Sequence, residues 1–104
     1  VGNKVGPQGA IALADTISNN DSIAHINLRD NHIGDKGAKA WAQAVQKNET
    51  IEELNLGKNG ITDNGAILLA RIIEGCPSLR SFNLSRNQIK EQGAKRVASA
   101  LRTN

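Results

Sequence analysis

The run Ile51-Glu52-Glu53-Leu54-Asn55-Leu56-Gly57-Lys58-Asn59-Gly60-Ile61 decides the fold. Leu54 and Leu56 alternate with polar neighbours, the period-two pattern of a strand with one buried face. After it, Ala66, Leu69, Ala70 and Ile73 stand at i, i+3, i+4 and i+7. That spacing draws one apolar stripe down a helix. A strand followed by a helix is one βα unit, and nothing inside the unit covers its apolar face.

Repetition supplies the cover. Asn3, Asn31, Asn59 and Asn87 are each 28 residues apart. So are Gly9, Gly37, Gly65 and Gly93, then Ala10, Ala38, Ala66 and Ala94, and again Ala14, Ala42, Ala70 and Ala98. Apolar columns keep the same step: Ile23, Ile51 and Leu79; Ile26, Leu54 and Phe82; Leu28, Leu56 and Leu84; Val5, Ile33, Ile61 and Ile89. Columns of identical residues with no insertion define a tandem array. The expected organisation is one domain over residues 1–104, with a partial unit at 1–20 and full units at 21–48, 49–76 and 77–104. Units of the same order give parallel strands and right-handed crossovers. Strands pack about 4.8 Å apart and helices about 8–10 Å apart, so the stack must bend. The expected fold class is α/β: a curved right-handed βα solenoid with its parallel sheet on the concave side and its helices on the convex side.

Local signals punctuate each unit. Asp35, Thr62 and Asp63 stand where helix N-caps are needed, and Pro7 suits a first helical turn. Asn20 and Asn48 follow the last apolar helix position, where a left-handed capping residue is favoured. Pro77 follows the third helix. The recurring Gly-Ala pair is small and is expected to let the helix backbone approach the strand layer. The column Asn3, Asn31, Asn59 and Asn87 is read as structural. Turned inward, each amide can bond backbone groups of its own turn and of the next unit.

The polar positions between the core leucines face the concave side. They are His25, Asn27, Arg29 and Asp30, then Glu53, Asn55 and Lys58, then Ser81, Asn83, Ser85 and Arg86. The row Asn27, Asn55 and Asn83 reads as a side-chain ladder along the sheet, or as a hydrogen-bonding floor for a partner. Asp30, Lys58 and Arg86 form a mixed-charge column that sets register with a complementary surface. Gly57 leaves a gap in this face that a partner side chain can enter.

Composition excludes several classes of function. Hydrophobic residues are 38% and charged residues 22% of the chain, which suits a folded soluble domain. No apolar run approaches the roughly 18–20 residues of a membrane helix, so no membrane role is expected. The single cysteine, Cys76, excludes an internal disulfide and a cysteine-built zinc cluster. His25 and His32 are too few for a metal site, and His32 is expected in a solvent-facing turn. No nucleophile motif surrounds Ser85 and the glycines recur because the unit recurs, so no catalytic residue, cofactor or small-molecule substrate is expected. Trp41 shares a column with Leu13, Leu69 and Val97 and is read as core.

The net charge of +3 is uneven. Residues 1–76 hold seven Lys/Arg against nine Asp/Glu, whereas residues 77–104 hold six against one. Phe82 is the only aromatic residue of that basic end and is assigned to the core, so nucleic acid is not the expected partner. Asn-x-Ser/Thr triplets occur at Asn20, Asn48 and Asn83, two of them at equivalent places in the repeat. A cytoplasmic setting is the expectation.

The pattern L-x-x-L-x-L-x-x-N-x-I followed by a Gly-Ala helix start resembles leucine-rich repeats of the ribonuclease-inhibitor-like type. Its 28-residue unit and the segment Ile33-Gly34-Asp35-Lys36-Gly37-Ala38 are most similar to repeats of NOD-like receptors and Ran GTPase-activating proteins. The resemblance implies a non-catalytic scaffold that binds a protein partner along its concave strand face. It also admits a GTPase-activating module acting on a small GTPase, and a structural segment of a larger sensor or receptor. Both terminal units look like interior ones. The chain therefore reads as an excerpt of a longer solenoid whose uncapped ends are open to end-to-end self-association.

Overall fold

In the computed structural model, residues 5–76 and 78–103 are described, with the backbone alone at 101–103. Asn3, Pro77 and the side chain of Leu101 lie outside the described residues. Helices and strands alternate: α1 (Gly6–Ser18), β1 (His25–Asn27), α2 (Gly34–Lys47), β2 (Glu53–Asn55), α3 (Asp63–Ile73), β3 (Ser81–Asn83) and α4 (Glu91–Thr103). The strands form one parallel sheet in the order β1-β2-β3. Ile26 pairs with Leu54 and Leu54 with Phe82, so the register of the sheet is the period of the sequence. Each helix packs against the next in chain order. The result is an α/β solenoid with the sheet on its concave side, as the period required.

The core fills the space between the layers. Leu54, Leu56, Ile61, Leu69 and Ile73 of one unit meet Ile33, Trp41 and Val45 of the unit before it, all of them buried. Trp41 is 0% exposed, a core residue as its column implied, although its Nε1 has no partner among the described residues. Leu13 in the same column is 40% exposed, because no described unit packs on that side of α1. At the other end, Ala94 and Ala98 are exposed while Ala38, Ala42, Ala66 and Ala70 are buried. In the terminal units burial thus depends on which side of the helix a residue faces: Ala10 and Ala14, turned to α2, are buried, and Leu13 is not.

The structural Asn column is buried in the middle of the array, but it bonds backward rather than forward. Asn59 Nδ2 donates to Leu28 O of the preceding unit and to Gly57 O of its own turn, while Asn59 Oδ1 accepts Asn31 N–H and Ile33 N–H. Asn87 repeats this with Leu56 O, Asn59 N–H and Ile61 N–H. Asn31 Oδ1 has no partner among the described residues.

Three local expectations are corrected by the structure. Asp35 and Asp63 do not cap their own helices, and neither does Thr62. Asp35 instead accepts the Thr62 backbone N–H at 2.8 Å and the Thr62 hydroxyl, and Asp63 accepts Lys90 N–H. A carboxylate on the first turn of a helix lies beside the helix start of the next unit, and that start carries the free N–H groups. Asn48 is not left-handed either: its backbone is extended, at φ −88° and ψ 130°. Its side chain is buried, donating to Ile17 O and Asn20 O and accepting Thr50 N–H and Ile51 N–H. The same amide is therefore engaged, and not available for modification while the chain is folded. Finally, the Gly of the Gly-Ala pair in each full unit, Gly37, Gly65 and Gly93, faces the preceding helix and its own Ile, not the strand layer. A Cβ on Gly65 would lie 2.4 Å from Asp35 Oδ1 and 2.9 Å from Ile61 Cγ2. Pro7 does occupy the first turn of α1.

Candidate protein-interaction surface

Each strand is three residues long and alternates in burial. His25 and Asn27 are exposed around Ile26, Glu53 and Asn55 flank buried Leu54, and Ser81 and Asn83 are exposed around Phe82. The parallel register therefore sets two polar rows side by side on the concave face: His25, Glu53 and Ser81, then Asn27, Asn55 and Asn83. Together with Ile26 and Leu54 they line a shallow trough of about 280 Å³.

In the first row, His25 Nδ1 contacts Glu53 Oε2. The carboxylate stands between the imidazole and the Ser81 hydroxyl. A nucleophile relay needs the imidazole in the middle, so this order does not assemble one. In the second row the amides do not form a ladder. Each carbonyl turns back to its own strand: Asn27 Oδ1 accepts Arg29 N–H at 3.0 Å, Asn55 Oδ1 accepts Gly57 N–H at 2.9 Å and Asn83 Oδ1 accepts Ser85 N–H at 2.8 Å. This geometry escaped the sequence reading. Its signal was there, since Asn is the residue that bonds its own backbone two positions on.

Past the strands, Gly57 is not a gap. A Cβ there would lie 2.5 Å from Arg29 Nη1, and that guanidinium reaches across to Ser85 Oγ at 3.3 Å. Glycine at the middle unit gives Arg29 its path over two units. In the next column Asp30, Lys58 and Arg86 all have left-handed backbones, with φ of 62°, 53° and 58°. Lys58 Nζ is 3.7 Å from Asp30 Oδ2. Each left-handed residue lies three positions past the end of its strand, at one rim of the concave side. At the opposite rim, Asp21, Glu49, Glu52 and Arg80 border a second, more open hollow of about 610 Å³. The sequence reading did not single it out.

Among the described residues no group of three or more His, Cys, Asp or Glu side chains is placed to hold a metal ion. No described helix is long and apolar enough to cross a membrane. On the convex side, Arg96 of α4 bonds Glu74 at the end of α3, which holds the Glu74 carboxyl below the ordinary glutamate range. Burial pushes the Cys76 thiol up.

Two of the solved structures that share the fold serve for comparison. One, the leiomodin-1 actin-binding site 2, has a TM-score of 0.84 at 23% identity over 94% of this chain and 58% of its own. The other, the Caenorhabditis elegans tropomodulin C-terminal domain, has a TM-score of 0.77 at 20% identity over 92% of this chain and 57% of its own. The chain thus spans a little under three fifths of either. No curated protein matches it in sequence. The family model described as Leucine Rich repeat matches residues 19–40, 47–70 and 75–98, one match in each full unit. The chain belongs to the leucine-rich repeat family.

Proposed function

We propose that the chain is a non-catalytic scaffold that binds a protein partner through its concave strand face. The observation that carries this reading is the trough itself, a sheet face of two polar rows with the Ile26, Leu54 and Phe82 side chains between them turned inward to the core. Its polar groups are positioned by the backbone register, not by flexible loops, so a partner meets them already arranged. The structural neighbour titled an actin-binding site makes actin the first partner to try. The free, buried thiol of Cys76 suits a cytoplasmic setting.

The test is binding to purified monomeric actin, and then to small GTPases, with four single variants. Arg29→Glu, Lys58→Glu and Arg86→Glu reverse charge on the concave side, whereas Lys39→Glu does so at an exposed position of α2. Each concave reversal is expected to weaken binding, and Lys39→Glu is not. Binding by a GTPase in place of actin keeps the scaffold and changes its partner. If all three concave reversals leave the affinity of a bound partner untouched while Lys39→Glu lowers it, the concave assignment fails.

A further inference from the structure

The Asn27, Asn55 and Asn83 row is polarised in one direction. Every Oδ1 is occupied by the N–H two residues on, at 3.0, 2.9 and 2.8 Å. Rotating any of these amides would set an NH₂ against a backbone N–H, so the orientation is fixed by the strand. What remains for a partner is the Nδ2 of each residue: hydrogen-bond donors with no acceptor beside them in the row. On the side of the row away from the acidic rim of Asp21, Glu49 and Glu52, the charges point the same way. Glu53 is engaged by His25 and Asp30 by Lys58, while Arg29 and Arg86 face no carboxylate among the described residues. A surface of donors with surplus positive charge is complemented by carboxylates, whose charge-assisted hydrogen bonds are the strong ones.

The spacing selects the shape of that partner. Neighbouring strands lie about 4.8 Å apart, so the row spans about 9.6 Å from Asn27 to Asn83. On an α-helix, residues i, i+3 and i+7 share a face and span about 10.5 Å. Alternate residues of an extended peptide, i, i+2 and i+4, span about 13.5 Å and overshoot. Single-stranded nucleic acid would want aromatic platforms, but Trp41 is fully buried and Phe82 packs inward. We propose that the concave floor receives an acidic helix laid across the three strands, its carboxylates over the side-chain amino groups of Asn27, Asn55 and Asn83. This rests on the concave-face reading above and adds the chemistry and shape of the partner.

The probe is a fluorescein-labelled, Ala-rich peptide of about 18 residues, held helical by a lactam bridge on its far face, with Glu at i, i+3 and i+7. Two controls carry Gln at those sites, or the three Glu scattered to i, i+2 and i+5. Fluorescence anisotropy at low salt is expected to show the Glu peptide binding at least about tenfold more tightly than either control. Asn55→Asp and Asn83→Asp keep an oxygen for the backbone N–H but replace the donor with an acceptor. Each is expected to weaken the Glu peptide by about tenfold or more while the melting curve holds, and the exposed Asn83 covers the case in which the Asn55 variant does not fold. Equal binding of the Glu and Gln peptides, undiminished binding by both Asp variants, tighter binding of polyuridine than of the Glu peptide, or no saturable signal up to about 1 mM peptide would each overturn the proposal. A partner that is sensitive to the concave reversals but prefers a neutral or basic probe would sink the acidic helix and leave the scaffold standing.

Discussion

The side-chain carbonyl of Asn59 accepts the backbone N–H of Asn31 at 2.8 Å, and its amino group donates to Leu28 O at 2.8 Å. One amide thus serves both a donor and an acceptor of the preceding unit, 2% exposed and away from water. Asn59→Ala removes it and strands the N–H groups of Asn31 and Ile33, while Leu28 O and Gly57 O each keep one other donor. The expected cost is about 2–3 kcal/mol, the upper part of the range for orphaned buried polar groups. Urea unfolding followed by Trp41 fluorescence measures it. Trp41 is the only tryptophan and is fully buried, so its emission should shift to the red in a single transition.

His32 is exposed and left-handed, with φ 56°, where the equivalent residue of the next unit is Gly60 at φ 71°. A left-handed backbone costs a residue with a Cβ about 1–2 kcal/mol, and glycine gives back part of that in unfolded-state entropy. His32→Gly should therefore stabilise the chain by about 0.5–1 kcal/mol. Since His32 is outside the concave rows, partner binding should be unchanged. A lower urea midpoint for this variant would contradict the strain argument.

Sequence reading succeeded where the repeat acts as a whole. The columns of Leu28, Leu56 and Leu84 required a parallel sheet in a 28-residue register, and the strands pair that way. It failed where a side chain reaches into a neighbouring unit. Asp35 looks like a cap for its own helix because a linear pattern shows only residues a few positions away. Its actual partner, Thr62, is 27 positions on. Asn48 looks like a left-handed cap for the same reason, and its bond to Ile17 O spans 31 residues. The alternation in the strands separates the outward His25, Asn27, Glu53, Asn55, Ser81 and Asn83 from the inward Ile26, Leu54 and Phe82. The direction of the amides was not legible, because it depends on turn geometry that no hydrophobic pattern encodes.

Cys76 replaces the Asn that Asn20 and Asn48 supply in the earlier units. Its thiol keeps one bond of that set, a long one of 3.5 Å to Val45 O, equivalent to the bond from Asn48 Nδ2 to Ile17 O. Asn48→Ala should therefore cost about 1–3 kcal/mol and Cys76→Ala under about 1 kcal/mol, since a thiol is only a weak donor. The thiol is 6% exposed and burial raises its pKa above the ordinary 9.0. Above pH 9.0 the unfolded chain gives up this proton before the native chain does. The unfolded state then binds fewer protons, so stability falls as pH rises through that range. Iodoacetamide should modify native Cys76 slowly at pH 8 and much faster in urea, and equal rates would show that the thiol is open.

Gly65 sits where two units meet closely. Its added Cβ would meet Asp35 Oδ1 at 2.4 Å and Ile61 Cγ2 at 2.9 Å. Asp35 is not free to swing away, because it is held by the backbone and hydroxyl of Thr62. Gly65→Ala would ordinarily stabilise a helix, by about 1 kcal/mol on propensity alone. Here overpacking opposes that gain with about 1–3 kcal/mol, and breaking the Asp35–Thr62 bonds adds to the loss. The net expectation is a destabilised chain. The cause can be separated from propensity by a double-mutant cycle with Asp35→Ala. If the clash acts through that carboxylate, Gly65→Ala should cost less in the Asp35→Ala background than alone. An unchanged cost would place the conflict on Ile61 instead, and a stabilised Gly65→Ala would refute the close contact between the two units.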